Sequence, residues 1–327
     1  MKRRSILCFT VASLATLSLP ALAQQEKRVR RIGYFTQGNA QLAVPGLTAF
    51  RQGMTALQWI EGRDYTIEAR FADSASEAIP RLVDELVSAR PDLLLVNADS
   101  AVRIFAQKSG SIPIVFTIAV DPVATGIVAS LQRPGGIATG LTSLSSDLGI
   151  KRLQLLREAV PRANHVGVLH EPADAGSVSE TNSLRSAAER LRMRVTPIAL
   201  RQAEDIEPAF KRGAELGVQA YLCIQGPLVS NQSRSIVEHV KRARRPAMFW
   251  RDADVEAGGL MSYSASIADN YRRAAAYVIK ILNGAKPGDL PVEQPTRFAL
   301  VLNLKTAKSI GVSFPKAILA RADRVIE

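Results

Sequence analysis

The feature that most constrains this chain is an alternation that starts at Arg31 and continues almost to the end. Short apolar runs at residues 32–35, 93–96, 114–117, 166–169, 220–224 and 247–250 are each followed by a longer amphipathic stretch. Uninterrupted apolar runs of this length suit strands buried on both faces, and such strands belong to parallel sheets covered by helices. Residues 66–71 differ, because Ile67, Ala69 and Phe71 alternate with polar residues as a half-exposed strand requires. Between the strands, Ile79, Leu82, Val83, Leu86 and Val87 recur at helical spacing. Ser76 is a candidate N-cap, Pro80 falls in the first turn, where proline is tolerated, and Pro91 ends the helix. A second helix is expected over residues 101–107. The fold class is therefore α/β.

After Gly135-Gly136 and a short strand near residues 140–142, the cycle begins again. Asp147 opens a helix through Leu153, Leu156 and Val160, and another carries Leu184, Ala187, Ala188 and Leu191 on one face. A strand at 195–200 precedes helices built on Ile206, Ala209 and Phe210 and on Ile236, Val237 and Val240. Two runs of strand–helix alternation, broken near Ser143, predict two Rossmann-like lobes with parallel sheets. A strand at 259–263, a helix at 267–282, a Pro-containing loop at 286–295, a strand at 298–302 and a terminal helix remain. These extra elements predict repeated crossing between lobes and a multi-strand hinge. The expected division is residues 24–143 with 263–297 in the N-terminal lobe, and 144–262 with 298–327 in the C-terminal lobe.

Residues 1–23 read as a cleavable signal peptide. Lys2, Arg3 and Arg4 precede an uncharged, mainly apolar stretch, and Ala21-Leu22-Ala23 is a small-x-small cleavage site. The stretch falls short of the ~18–20 apolar residues that span a bilayer. Cys8 comes too early for a lipidation cysteine. A periplasmic protein without membrane insertion is expected. Cleavage reduces the net charge from +12 to +9 and leaves Cys223, in an apolar strand, as the single cysteine. The basic residues are dispersed, as at Arg190, Arg192 and Arg194, so they read as solvated helix faces rather than a nucleic-acid surface.

Catalytic signatures are missing. The chain has no phosphate-binding Gly-rich loop, no H-E-x-x-H and no G-x-S-x-G elbow. Its three histidines do not form a ligand set: His165 and His170 point to opposite faces, His165 reads as a solvent or strand-edge residue, and His239 as exposed. Asp252, Asp254 and Glu256 cluster in a loop. No catalytic residue, metal or cofactor is expected.

In open parallel α/β sheets, ligands bind beyond the carboxyl ends of the strands. That rule selects Thr36, Gln37, Asn97, Asp99, Ser100, Thr117 and Asp121 in the first lobe. In the second it selects Glu171, Gln225 and Asp252, with His170, Gly226 and Arg251 beside them. Asp99 reads as capping its own helix, whose N–H groups and Ser100 then suit an acidic end of a ligand. Glu171, Gln225 and Asp252 suit its donor-bearing end.

Several segments also carry a family resemblance. The run IPIVFTIAVDPVATGIVASLQRPGGIATGL at 112–141, KRLQLLREAVP at 151–161, the long segment at 255–311 and ILARADRVIE at 318–327 resemble ABC-transporter substrate-binding proteins of the tryptophan/tyrosine type. The resemblance implies a type I periplasmic-binding-protein fold, with three crossing strands and a cleft that closes on one small ligand. It implies solute capture, of an amino acid or aromatic acid, for delivery to an ABC permease. Members often carry Asp-Asp before Pro-Leu, where this chain has Gln225-Gly226, and Asn-Pro where it has Glu171-Pro172. Arg251-Asp252-Ala253-Asp254 replaces an aromatic and acidic pattern. A periplasmic sensing module and an exported α/β hydrolase are the alternative readings.

Overall fold

The computed structural model describes residues 28–327 apart from Ser74, Ala98 and Leu144. The expected signal peptide lies outside the described residues. The first lobe runs β1 (Arg30–Thr36), α1 (Ala40–Ala56), β2 (Tyr65–Phe71), α2 (Ile79–Ser88), β3 (Leu93–Asn97), α3 (Asp99–Lys108), β4 (Ile114–Ala119) and β5 (Ala138–Thr142). Its sheet has the order β2-β1-β3-β4-β5, with all pairs parallel.

The second lobe contains α4 (Ser145–Ala159), β6 (His165–His170), α5 (Ala175–Arg190), β7 (Arg194–Ala199), α6 (Ile206–Glu215) and β8 (Ala220–Cys223). It continues with α7 (Pro227–Asn231), α8 (Ser233–Arg242), β9 (Ala247–Phe249), α9 (Asp252–Glu256) and β10 (Met261–Ala265). Helix α10 (Ile267–Leu282) then lies against the first lobe, before β11 (Phe298–Asn303), α11 (Leu304–Ile310), α12 (Lys316–Leu319) and β12 (Arg324–Ile326) complete the second. The second sheet has the order β12-β11-β10-β9-β8-β6-β7.

The apolar runs are explained by where alternate residues point. On β1, Ile32 and Tyr34 enter one core while Phe35 enters the core on the other face. On β8, Ala220 and Leu222 face one core of the second lobe, and Tyr221 and Cys223 the other. Cys223 is fully buried, and burial pushes its thiol well above the usual range. It is a core residue.

Sequence and structure part in several places. Helix α1 has no counterpart in the sequence reading, although Asn39 caps it by accepting the Leu42 N–H at 2.9 Å. Its Pro45 and two buried glycines obscure the pattern. Helix α2 follows a 3-10 turn at Ser76–Ala78, so its N-cap is Ala78 rather than Ser76. The second sheet is not wholly parallel, because β10 and β11 are antiparallel. After β10 the chain leaves for the first lobe, and it re-enters beside β10 running the opposite way. His165 is not exposed: it begins β6, an interior strand, and its Nε2 hydrogen-bonds with Thr196 at 2.9 Å. His239 is half-buried and stacks on Phe210 with ring centroids 5.4 Å apart.

The chain passes between lobes three times: from Thr142 to Ser145, from Ala265 to Ile267, and along the segment that ends at Phe298. The last segment is tied to β5, since Thr142 N–H donates to Glu293 and Glu293 N–H to Gly140, both at 2.9 Å. Helix α10 packs closely on α1. A Cβ at Gly53 would lie 2.3 Å from the Arg272 carbonyl, so only glycine permits this approach.

Candidate functional site

The carboxyl ends of the two sheets face one another across a cleft holding a cavity of about 330 Å³. The first lobe contributes Thr36 at the end of β1 and Gln37 after it, Asn97 at the end of β3, and Ile118 and Val120 at and just past the end of β4. The start of α1 adds Gln41, and the start of α10 adds Ser266, Ile267 and Tyr271. The second lobe contributes Asp174, Gln225, Ser230, Trp250, Arg251 and Asp252. Two aromatic rings, four carboxamides and the acidic or basic side chains of Asp99, Asp174, Arg251 and Asp252 thus surround a space of the size that small-molecule sites occupy.

The lobes touch across this cleft. Gln225 Nε2 donates to the Ile118 carbonyl at 3.2 Å, Asn39 N–H donates to Asn231 Oδ1 at 3.3 Å, and Asn231 Nδ2 donates to the Gln37 carbonyl at 3.4 Å. Gly176, at the start of α5, sits so close to Val120 that a Cβ there would approach its side chain to 2.6 Å.

Six of the ten residues selected from sequence line the cavity: Thr36, Gln37, Asn97, Asp99, Gln225 and Asp252. Some are positioned by neighbours in sequence and others by distant elements. Thr36 Oγ1 accepts the Gly38 N–H, and Asn97 Nδ2 donates to the Tyr271 hydroxyl at 3.2 Å. That hydroxyl also bonds Tyr34 at 3.0 Å, and burial raises both phenols. Ser100 stands behind the wall and donates to Gln37 Oε1 at 3.0 Å. Thr117 is buried, its carbonyl accepting from Asn270, and Asp121 closes a turn by accepting the Ala124 N–H. Glu171 does not reach the cavity wall. Its Oε1 accepts the Val229 N–H at 2.8 Å, which caps the short helix α7, and burial pushes its carboxyl up to about 7.

Asp99 corrects the sequence reading. It does not cap α3, because it already lies inside that helix, and both of its oxygens turn to the Val120 N–H at 3.1 and 3.2 Å. Burial, reinforced by the Asp174 charge across the lobe boundary, pushes it up to about 8. Both causes favour its neutral form.

Sequence reasoning missed Trp250, Tyr271, Gln41, Ser230 and Asp174 as wall residues. Trp250 read as the last residue of a strand, but it lies just past the end of β9, while Tyr271 read as a core position of a helix, which it also is. Arg251 lies over the Trp250 ring at 5.5 Å and is held by Asp254 and the Ser230 carbonyl, both at 2.8 Å. Among the described residues no grouping of His, Cys, Asp and Glu could hold a metal ion, and no helix is long and apolar enough to cross a membrane.

Two α/β lobes, three connections and a ligand-sized cleft between them define a two-lobed binding protein. A family profile described as "ABC transporter substrate binding protein" matches residues 40–326, and the chain belongs to that family. It captures a solute for ABC transport. The chain is similar to a tyrosine-binding protein of Clostridioides difficile (strain R20291), with 24% identity over 254 residues, 77% of this chain and 72% of that one. Among solved structures it is similar to a conserved domain protein from Vibrio cholerae, at TM-score 0.86 and 24% identity, covering 91% of this chain and 100% of that one. It is also similar to an ABC domain in complex with L-Trp from Streptococcus pneumonia, at TM-score 0.83 and 21% identity, covering 90% and 100%.

Proposed function

We propose that the interlobe cavity captures a small ligand with a planar apolar body and polar ends, of the aromatic amino acid or aromatic acid class. The carrying observation is the pairing of Trp250 and Tyr271 in one wall system with the carboxamides of Gln37, Gln41, Asn97 and Gln225. Aromatic side chains supply apolar contact area, while the amides fix orientation. The names of the tyrosine-binding relative and of the L-Trp complex support this class. Gln225 and Gly226 place no carboxylate at the end of β8, so an ammonium group is not paired there. The two bodies separated by the three crossings open and close about them, and the closed form is presented to a permease. Binding must favour that form over the open one for closure to follow. No catalytic step is part of this reading.

A thermal-shift screen of L-tryptophan, L-tyrosine, aromatic acids, nucleosides and sugars tests it. A member of the proposed class at ~1,000-fold excess over Kd should stabilise the protein by about 4 kcal/mol. Trp250→Ala should weaken binding by roughly 2 kcal/mol, as loss of a central aromatic anchor does. A response to sugars alone, undiminished in the Trp250 variant, would overturn the assignment.

The proposed location is the periplasm, reached through the signal peptide at residues 1–23. The mature protein should then begin at Gln24 on N-terminal sequencing. An intact Met1 in secreted material would contradict export by this route.

A further inference from the structure

The second lobe encloses an ion pair that lies behind the cleft wall. Arg152 on α4 and Glu180 on α5 have side chains only 1% and 0% exposed, with Nη1 3.0 Å from Oε1. Bringing two charges out of water is costly, and apolar replacements of such pairs are often neutral or stabilising. Stability alone therefore does not account for the pair.

Its other hydrogen bonds all run toward the cleft end of the sheet. Arg152 Nε donates to the Tyr263 carbonyl at 2.8 Å, and Nη2 donates to the Trp250 carbonyl at 3.3 Å. The Gln225 backbone lies near the Glu180 carboxyl and favours its charged form. Gln225 and Trp250 are wall residues just beyond β8 and β9, and Gln225 also reaches across to Ile118 of the first lobe. Tyr263 lies on β10, two residues before the chain crosses between lobes. One guanidinium–carboxylate unit thus ties together two wall segments and a hinge strand that are far apart in sequence. Arg supplies several donors in a fixed plane, which a single ammonium cannot reproduce.

We propose that Arg152 and Glu180 are positioning residues for ligand capture, holding Trp250, Gln225 and the β10 crossing in the arrangement that lets the two walls meet. The proposal rests on the cleft reading given above, and its test separates the two. The chain has two tryptophans, and Trp59 lies in the core of the first lobe, so Trp59→Phe leaves Trp250 as the sole indole emitter. In that ligand-free background, emission and acrylamide quenching are compared for the parent, Arg152→Lys, and the apolar pair Arg152→Met with Glu180→Leu.

The apolar pair should still unfold cooperatively, yet Trp250 should emit further to the red and be quenched more. Arg152→Lys should fall between it and the parent. Calorimetric titration with L-tyrosine should show weaker binding in the same order. A parent that does not bind L-tyrosine counts against the ligand class alone, because the Trp250 signal decides the positioning role. Folded variants with the parent's emission and quenching overturn the proposal. Should the apolar pair fail to fold, Arg152→Lys decides by the same criterion.

Discussion

Arg152→Met alone should lower the unfolding free energy by about 3–5 kcal/mol at pH 8, the range for breaking a buried pair and stranding one charge. The strand ends make the loss larger than a single contact. Besides leaving Glu180 without its charged partner, the substitution removes the donors to the Tyr263 and Trp250 carbonyls, both enclosed by the second lobe. Burial already drives Glu180 toward its neutral form, and the Arg152 charge opposes that drive. Once Arg152 is gone, the carboxyl takes up a proton more readily, so the deficit should shrink as pH falls. Adding Glu180→Leu should recover much of the stability, since no buried charge is then left unpaired. Urea unfolding with an unchanged slope measures the wild type and both variants. A single variant within 1 kcal/mol of wild type, or a double variant no better than the single, would show that the pair is not coupled in this way.

Asp99→Asn should flatten the pH dependence of stability. Asp99 titrates at about 8 in the folded protein, against 3.8 as an ordinary aspartate. Between those values the native state holds a proton that the unfolded chain has lost, so stability declines as pH rises through the window. The slope from this one group is at most about 1.4 kcal/mol per pH unit and vanishes below about pH 4. Asparagine keeps an acceptor for the Val120 N–H and cannot ionise. The variant should therefore gain on wild type steadily from pH 5 to pH 8. Glu171 and Asp174 are raised in the same direction and give both proteins a common background slope, so the difference between the two curves isolates Asp99. Asp174 belongs to the other lobe, which means that ligand affinity should follow the same trend. Parallel pH profiles for wild type and variant would sink the argument.

Much of the architecture was legible because the apolar runs on β1, β3, β4, β6 and β8 leave no polar face. That property belongs to strands sandwiched between helices. Helix α1 was not legible, because Gly46, Gly53 and Pro45 replace the large apolar residues that mark a helix face. Those glycines serve the contact with α10, which is more than two hundred residues away and invisible to local pattern. The antiparallel β11 was hidden for a similar reason, since strand direction there depends on where the chain re-enters. The strand-end rule found six wall residues, since it is a rule about backbone position. It could not separate Gln225, whose side chain reaches the opposite lobe, from Glu171, whose side chain turns back to cap α7. Asp99 was misread because local sequence suggests a cap, while its actual partner, Val120, is supplied by the next strand's loop.

The packing of α10 on α1 sets the order in which the molecule can be assembled. Leu47, Phe50 and Met54 of α1 belong to one apolar cluster with Tyr271, Ala274 and Val278 of α10. Residues 57–282 must all be present before that cluster can close. Until α10 docks, α1 carries an uncovered apolar stripe, while β6 to β9 can already pair with one another. The second lobe's central strands are thus free to fold first, although their sequence comes later. Fragments ending before Ile267 should accordingly need a holding chaperone or aggregate through α1.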